Sequence, residues 1–249
     1  ISLGLVGSEM CIRDSHQSNS IISVKWISRL FFASCLMMQT VPITIPENRV
    51  ILNQITWETF KQLLQELGDN RSSCLAYNEG ILEIMTPLGK HEHSKCFISD
   101  LVAIIADEMD LNIKKMGSLT LKKEIIKKGV EPDACYYLKN EPLVRQKQNI
   151  TLDLDPPPDL VLEIDMSNSS LNKLPIYAAL GVAEIWRYNG NNLTGFIFNN
   201  DSQDYQESQY SLAFPWLELS QLLPFLQQSL QDGETKTLRN FRQWVRRFS

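Results

Sequence analysis

Two carboxylates and one lysine stand out in this sequence by their setting. Asp133 follows Pro132 at the opening of a short apolar run, and Glu163 lies inside the run Leu160-Val161-Leu162-Glu163-Ile164. An ionised carboxylate left unpaired among such neighbours costs several kcal/mol, so Glu163 requires a partner. A divalent cation is one of the few that fits. Mg²⁺ prefers oxygen ligands, typically one or two carboxylates, with water and substrate phosphate completing its shell. Ten residues after Glu163, Lys173 stands at the opening of the next helix, which folds back toward the carboxyl end of the strand. Two acids and one lysine are the minimum set for hydrolysing a phosphodiester with a metal. The ion lowers the pKa of its water and stabilises the pentavalent charge, while the lysine positions the nucleophile. A structural reading stands beside this one. Pro-Asp pairs are common in turns, and Glu163 paired to Lys173 needs no metal. Buried, perturbed charges favour functional sites only statistically.

The elements that must position these residues follow from patterning. At 56–67, Trp57, Phe60, Leu63, Leu64 and Leu67 recur at helical spacing, with Thr56 or Asn53 as cap and Gly68-Asp69-Asn70 as terminator. The stretch 75–85 reads as two strands about a hairpin turn at Asn78-Glu79-Gly80. A longer helix is expected over 91–108, with Phe97, Ile98, Leu101, Ile104 and Ile105 on one face. An alternating strand is expected over 116–126, turning at 127–129, and a short strand over 134–138. Residues 139–156 read as a loop. The nearly all-apolar 160–164, after three prolines, reads as a central strand buried on both faces. A helix over 171–180 is capped by Ser169 or Ser170 and closed by Gly181, with Pro175 near its first turn. Stretches 183–187, 193–198 and 208–214 read as a meander, and helices at 217–230 and 235–248 end the chain. Strands mixed with helices throughout imply an α/β (α+β) fold.

Composition is that of an ordinary globular chain, 43% hydrophobic and 21% charged over 249 residues. A net charge of −5 argues against a protein that coats nucleic acid indiscriminately, which needs concentrated positive charge, but leaves room for one basic face. Cysteines at 11, 35, 74, 96 and 135 are odd in number and lack C-x-x-C spacing, which points to a reducing compartment, the cytoplasm. The opening ISLGLVGSEMCIRDS resembles translated adapter sequence, with Met37-Met38 a natural start; residues 1–36 are therefore expected to be a non-native extension ahead of one domain, 37–249. The rival there is a signal peptide with 30–38 as its apolar core, which lacks a small-x-small cleavage site and is too short to span a membrane.

Six stretches taken in order are more specific than any alone: Leu82-Glu83-Ile84-Met85-Thr86-Pro87, His91-Glu92, Glu131-Pro132-Asp133-Ala134-Cys135-Tyr136-Tyr137, Pro157 through Ile164, Lys173-Leu174-Pro175-Ile176-Tyr177, and Gly181-Val182-Ala183-Glu184-Ile185-Trp186. Together, over about 50–215, they resemble the Uma-type family of restriction-endonuclease-like proteins, a branch of the PD-(D/E)XK nuclease superfamily. The resemblance implies a restriction-endonuclease-like core, a mixed central sheet flanked by helices. It implies Asp133 and Glu163 as metal ligands, and Lys173 as the catalytic lysine moved from the strand to the following helix. In the standard motif the lysine sits two residues after the acid, where this chain has Asp165. Asp165 is read as a further ligand or, by slight preference, a strand-end cap. Glu92 is read either as a helical acid supplementing the metal shell or as a charge complementing the helix N-terminus. His91 is read as a surface or capping residue, and Glu83 as solvent-facing.

Lys122, Lys123 and Lys127, within a lysine-rich stretch close to Asp133, are the candidates for contact with DNA. Lys236, Arg239, Arg242, Arg246 and Arg247 lie opposite an apolar stripe and read as the solvated face of a terminal helix. The expected function is a cytoplasmic DNA endonuclease dependent on Mg²⁺ or Mn²⁺, with a homodimer as an open possibility. Two rivals remain: a catalytically silent nuclease-fold module that binds nucleic acid or a protein partner, and a structural domain in which Asp133, Glu163 and Lys173 form an ion network.

Overall fold

A computed structural model describes residues 48–68, 71–166 and 171–248. The extension expected at 1–36, the terminator residues Asp69 and Asn70, and the caps expected at Ser169 or Ser170 lie outside the described residues.

In chain order, β1 (Asn48–Leu52) precedes α1 (Trp57–Leu67), the hairpin β2 (Cys74–Asn78) and β3 (Ile81–Thr86), and the long α2 (Gly89–Glu108). Short strands β4 (Lys114–Gly117), β5 (Leu121–Lys123) and β6 (Lys128–Val130) lead to β7 (Ala134–Tyr137), one helical turn α3 (Glu141–Val144), and β8 (Leu160–Ile164). Next come α4 (Leu174–Leu180), the meander β9 (Glu184–Tyr188), β10 (Leu193–Asn199) and β11 (Asp204–Ser208), then α5 (Leu223–Asp232) and α6 (Glu234–Val245).

The fold is mixed α/β, with two sheets flanked by helices. The larger sheet runs β11-β10-β9-β8-β7-β4. Within it β8 pairs in parallel with β9 and antiparallel with β7, so it is the mixed central sheet that was expected. A second, antiparallel sheet in the order β1-β3-β2-β6-β5 was not anticipated. On β8, side chains alternate between faces as strand geometry requires. Leu160, Leu162 and Ile164 pack with α2, α5 and α6, whereas Val161 packs with Ile176, Tyr177 and Leu180 of α4. Both faces of β8 are therefore covered, which accounts for its apolar run.

Local chemistry explains the elements near the site. Thr56 Oγ1 accepts from Thr59 N at 3.1 Å and starts α1. Glu79 and Gly80, with φ of 49° and 90°, form the two-residue turn that fixes the β2–β3 register. α4 begins at Leu174 and not at 171. Pro175 is accepted only in a first turn, and this places Lys173 at the N-cap position. Gly181, at φ 85°, ends α4 in a left-handed cap.

Four further expectations need correction. The strand expected over 116–126 is broken: the chain leaves β4 at Gly117, φ 59°, and β5 joins the other sheet. The reversal falls at 124–127, and 139–156 holds the turn α3. The third meander strand is β11, not 208–214, because residues 211–213 are bound elsewhere. Fully buried Glu184 accepts from Leu212 N at 3.0 Å, Ala213 N at 2.7 Å and Trp186 Nε1 at 2.7 Å, tying that loop to β9. Burial pushes the Glu184 carboxyl pKa up, against these three donors. Replacing Glu184 with alanine leaves the donors without an acceptor and is expected to cost roughly 3 kcal/mol. Urea denaturation measures this, and a cost well under 1 kcal/mol would show that the loop is held by other contacts.

Candidate active site

The site is built where β7 and β8 meet the start of α4. On β8 the alternation that sends Val161 toward α4 sends Glu163 the same way. The β7–β8 register pairs Ala134 with Leu162, and one further step sets Asp133 against Glu163 on the same face. Asp133 Oδ2 accepts from Ile164 N at 2.6 Å, so the acid is anchored to the strand that carries Glu163. Lys173 Nζ donates to Glu163 Oε2 at 2.7 Å, and the Tyr177 hydroxyl, one turn further along α4, donates to Oε1. Lys173 therefore reaches the strand from its helix. Tyr177 belonged to a matched stretch, but its contact with Glu163 could not be read without the register of α4.

Electrostatics at this cluster follow from burial and close charges. Burial pushes the Glu163 carboxyl pKa up and the like charge of Asp133 adds to this, while Lys173 opposes it. For Lys173, burial acts to lower the pKa, but Glu163 and Asp133 outweigh it and the ammonium is held protonated above its ordinary range. Burial, then Glu163, raises the Tyr177 phenol far above its usual value, so it remains a donor. Tyr177→Phe is expected to slow any turnover at Glu163 by about 10- to 100-fold, the usual effect of removing a group that orients a ligand. Its thermal unfolding midpoint should shift by only a few degrees. Rates equal to the parent's would show that Lys173 alone orients Glu163.

Other residues surround this cluster. His91 is not a surface or capping residue. It shares the buried face of α2 with Ser94, Ile98 and Leu101, and its imidazole is 1% exposed with Nε2 at 3.2 Å from Asp133 Oδ1. Glu92 reaches the cluster only through His91, at 3.9 Å from Nδ1, and its carboxylate pairs with Lys95 beside a different cleft. Glu83 is buried at 1% and not solvent-facing. Arg49 of β1 donates to Glu83 at 3.0 Å and to Asp165 at 3.2 Å, joining the smaller sheet to the end of β8. Asp165 thus stands in an ion pair at the strand end. An open cleft of about 490 Å³ is lined among others by Glu163, Asp165, Lys173, Tyr177, Arg49 and Arg187, whereas Asp133, 3% exposed, is not part of its lining. Of the lysines, Lys123 turns inward to the Leu180 carbonyl at 3.3 Å, while Lys122 and Lys127 are exposed. Arg242 and Arg246 pair with Glu108, as expected of a solvated helix face.

The sequence pattern of the family described as "Uma2: Putative restriction endonuclease" matches residues 57–231, more than two thirds of the chain. The chain belongs to the Uma2 family. That span carries His91, Asp133, Glu163, Lys173 and Tyr177, and leaves Arg49 outside it. The Uma2 chain is also similar to a solved structure described as a putative nuclease belonging to DUF820 from Anabaena variabilis ATCC 29413. The two are 17% identical with a TM-score of 0.44, over 77% of this chain and 99% of the other. No curated protein matches. Among the described residues no helix is long and apolar enough to cross a membrane.

Whether this Uma2 site suits a divalent ion is decided by its donor set. Among the described residues no three His, Cys, Asp or Glu side chains gather to hold a metal. The two carboxylates Asp133 and Glu163 do share one face of the sheet, and Glu163 lines an open cleft. That fits Mg²⁺ or Mn²⁺, for which one or two carboxylates suffice when water and substrate phosphate complete the shell.

Proposed function

We propose that this Uma2 protein is an endonuclease that hydrolyses DNA phosphodiester bonds with Mg²⁺ or Mn²⁺ held by Asp133 and Glu163. The observation that supports this best is the reach of Lys173 from α4 to Glu163 on β8, at 2.7 Å. It gives a lysine moved off the strand a place beside two buried carboxylates, of which Glu163 lines a cleft with it. When bound, the ion would supply a water of lowered pKa and neutralise charge on the phosphate.

The chain's own residues divide the remaining work. Asp133, anchored by Ile164 N, and Glu163, held by Tyr177, present fixed oxygens. Lys173 stays protonated and orients the attacking water or donates to a phosphate oxygen as charge builds there. His91 lies against the second oxygen of Asp133, with Nε2 at 3.2 Å. In this reading Asp165 and Glu92 act through their pairs with Arg49 and Lys95 and not as ligands. Lys122 and Lys127, being exposed, are better placed for backbone contact than Lys123. Cutting both strands requires two copies of the site, which a homodimer in the cytoplasm would provide.

One observation favours a catalytically silent relative: both Glu163 oxygens are already engaged, by Lys173 and Tyr177. Incubating the full chain with supercoiled plasmid in Mg²⁺, Mn²⁺ or chelator, beside Asp133→Ala, separates the two. Nicking that needs the metal and is lost in the variant supports the enzyme. DNA binding with no nicking in either metal supports the silent module.

A further inference from the structure

We infer that Arg187 is a phosphate-gripping residue that holds the DNA backbone beside the bond under attack. The inference rests on the nuclease reading of Asp133, Glu163 and Lys173 and extends it to how the substrate is held. In the parallel pairing of β8 with β9, Arg187 is the register partner of Glu163, so both side chains leave the sheet on one face. Both line the same cleft.

The other cations of this cleft are neutralised within the protein. Lys173 pairs with Glu163 at 2.7 Å, and Arg49 with Glu83 and Asp165 at 3.0 and 3.2 Å. Arg187 differs. Its guanidinium carbon sits 4.3 Å from the ring centroid of Phe196, and among the described residues it forms no ion pair or hydrogen bond. Glu207, exposed on β11 and in register with Phe196, is the remaining carboxylate of the cleft and does not pair with it. A half-buried cation without an anionic partner is an unfavourable arrangement in the free protein and becomes favourable when an anion arrives. The Phe196 ring backs the guanidinium, and a guanidinium fork is the group that can give two parallel bonds to phosphate. A lysine at this position would supply charge without that fork.

The test is binding, kept separate from cleavage. Anisotropy of a short labelled DNA duplex in chelator, where no strand is cut, gives Kd for the full chain across a salt series. Arg187→Gln is expected to weaken binding about tenfold, the scale of a hydrogen bond to a charged group, and to reduce the salt slope by about 0.9, one phosphate contact. Arg187→Lys should keep the slope and regain only part of the affinity. Phe196→Leu, which keeps apolar contact and removes the ring under the guanidinium, should fall between parent and Arg187→Gln. It carries the test should Arg187→Gln fail to fold. Unchanged Kd and slope in folded Arg187→Gln, or in Phe196→Leu where that variant stands in, overturns the inference, as does a parent that binds no duplex. Arg187-dependent binding without metal-dependent nicking leaves the grip standing and overturns the nuclease reading alone.

Discussion

Glu163→Gln is expected to lower metal-dependent plasmid nicking by at least about 10²- to 10³-fold, the scale on which loss of one electrostatic group at a reacting centre acts. The amide keeps the shape and can still accept from Tyr177, but it offers a divalent ion no anionic oxygen. It also leaves Lys173 facing a neutral partner, with Asp133 and then Glu83 as its remaining negative charges. Binding of duplex DNA should survive, because the phosphate contacts assigned to Arg187 and the exposed lysines are untouched. The measurement is nicking rate against Mg²⁺ concentration for parent and variant. A variant that nicks at the parental rate removes Glu163 from the reaction, whatever the fate of the other residues.

Lys173→Met is expected to be the more damaging change to stability. The ammonium is about 12% exposed and pairs with a carboxylate that is 10% exposed. Removing one partner of such a pair costs about 3–5 kcal/mol, since the other charge is left buried. The cost must depend on pH. Burial already raises the Glu163 carboxyl in the folded protein, and losing the opposing Lys173 raises it further. In the unfolded chain Glu163 titrates in the ordinary glutamate range, about 4.3. Above that range the folded state holds a proton that the unfolded chain has released, so stability falls as pH rises toward the folded pKa. The variant should therefore lose more stability against the parent at pH 8 than at pH 5. In the parent, the raised pKa of Lys173 stabilises the fold at every pH below the ordinary lysine range, about 10.4, and that contribution is lost only as pH rises beyond it. Urea midpoints at the two pH values decide the matter. A deficit that shrinks from pH 5 to pH 8 would mean that Glu163 is not the group left unpaired.

The sequence by itself determined the pieces whose causes are local. A buried acid in an apolar pentapeptide announced its need for a partner. Alternation put Glu163 and Val161 on one face of β8, and Pro132 marked the entry of Asp133. The hairpin at Asn78-Glu79-Gly80 and the threonine cap of α1 were legible because turn and cap chemistry is decided by a few adjacent residues. The six ordered stretches sufficed to suggest the family.

Tertiary structure decided whatever depends on register and on what each helix face meets. The packing of α2 set His91, on the face it shares with Ile98 and Leu101, beside Asp133, and the packing of α4 put Lys173 and Tyr177 on the two oxygens of Glu163. Residues three, four or seven apart share a helix face, so spacing to Ile98 and Leu101 already turned His91 inward, but what that face meets is decided by packing. Glu83 looked solvent-facing because its cover, Arg49, comes from β1, 34 residues earlier in the chain. Arg187 gave no signal in its own neighbourhood: its place opposite Glu163 exists only once β8 and β9 lie side by side. Asp133, Glu163 and Lys173 were thus named by local chemistry, but long-range pairing supplied their surroundings, because strand partners and what each helix face meets are fixed by packing that spans the whole chain.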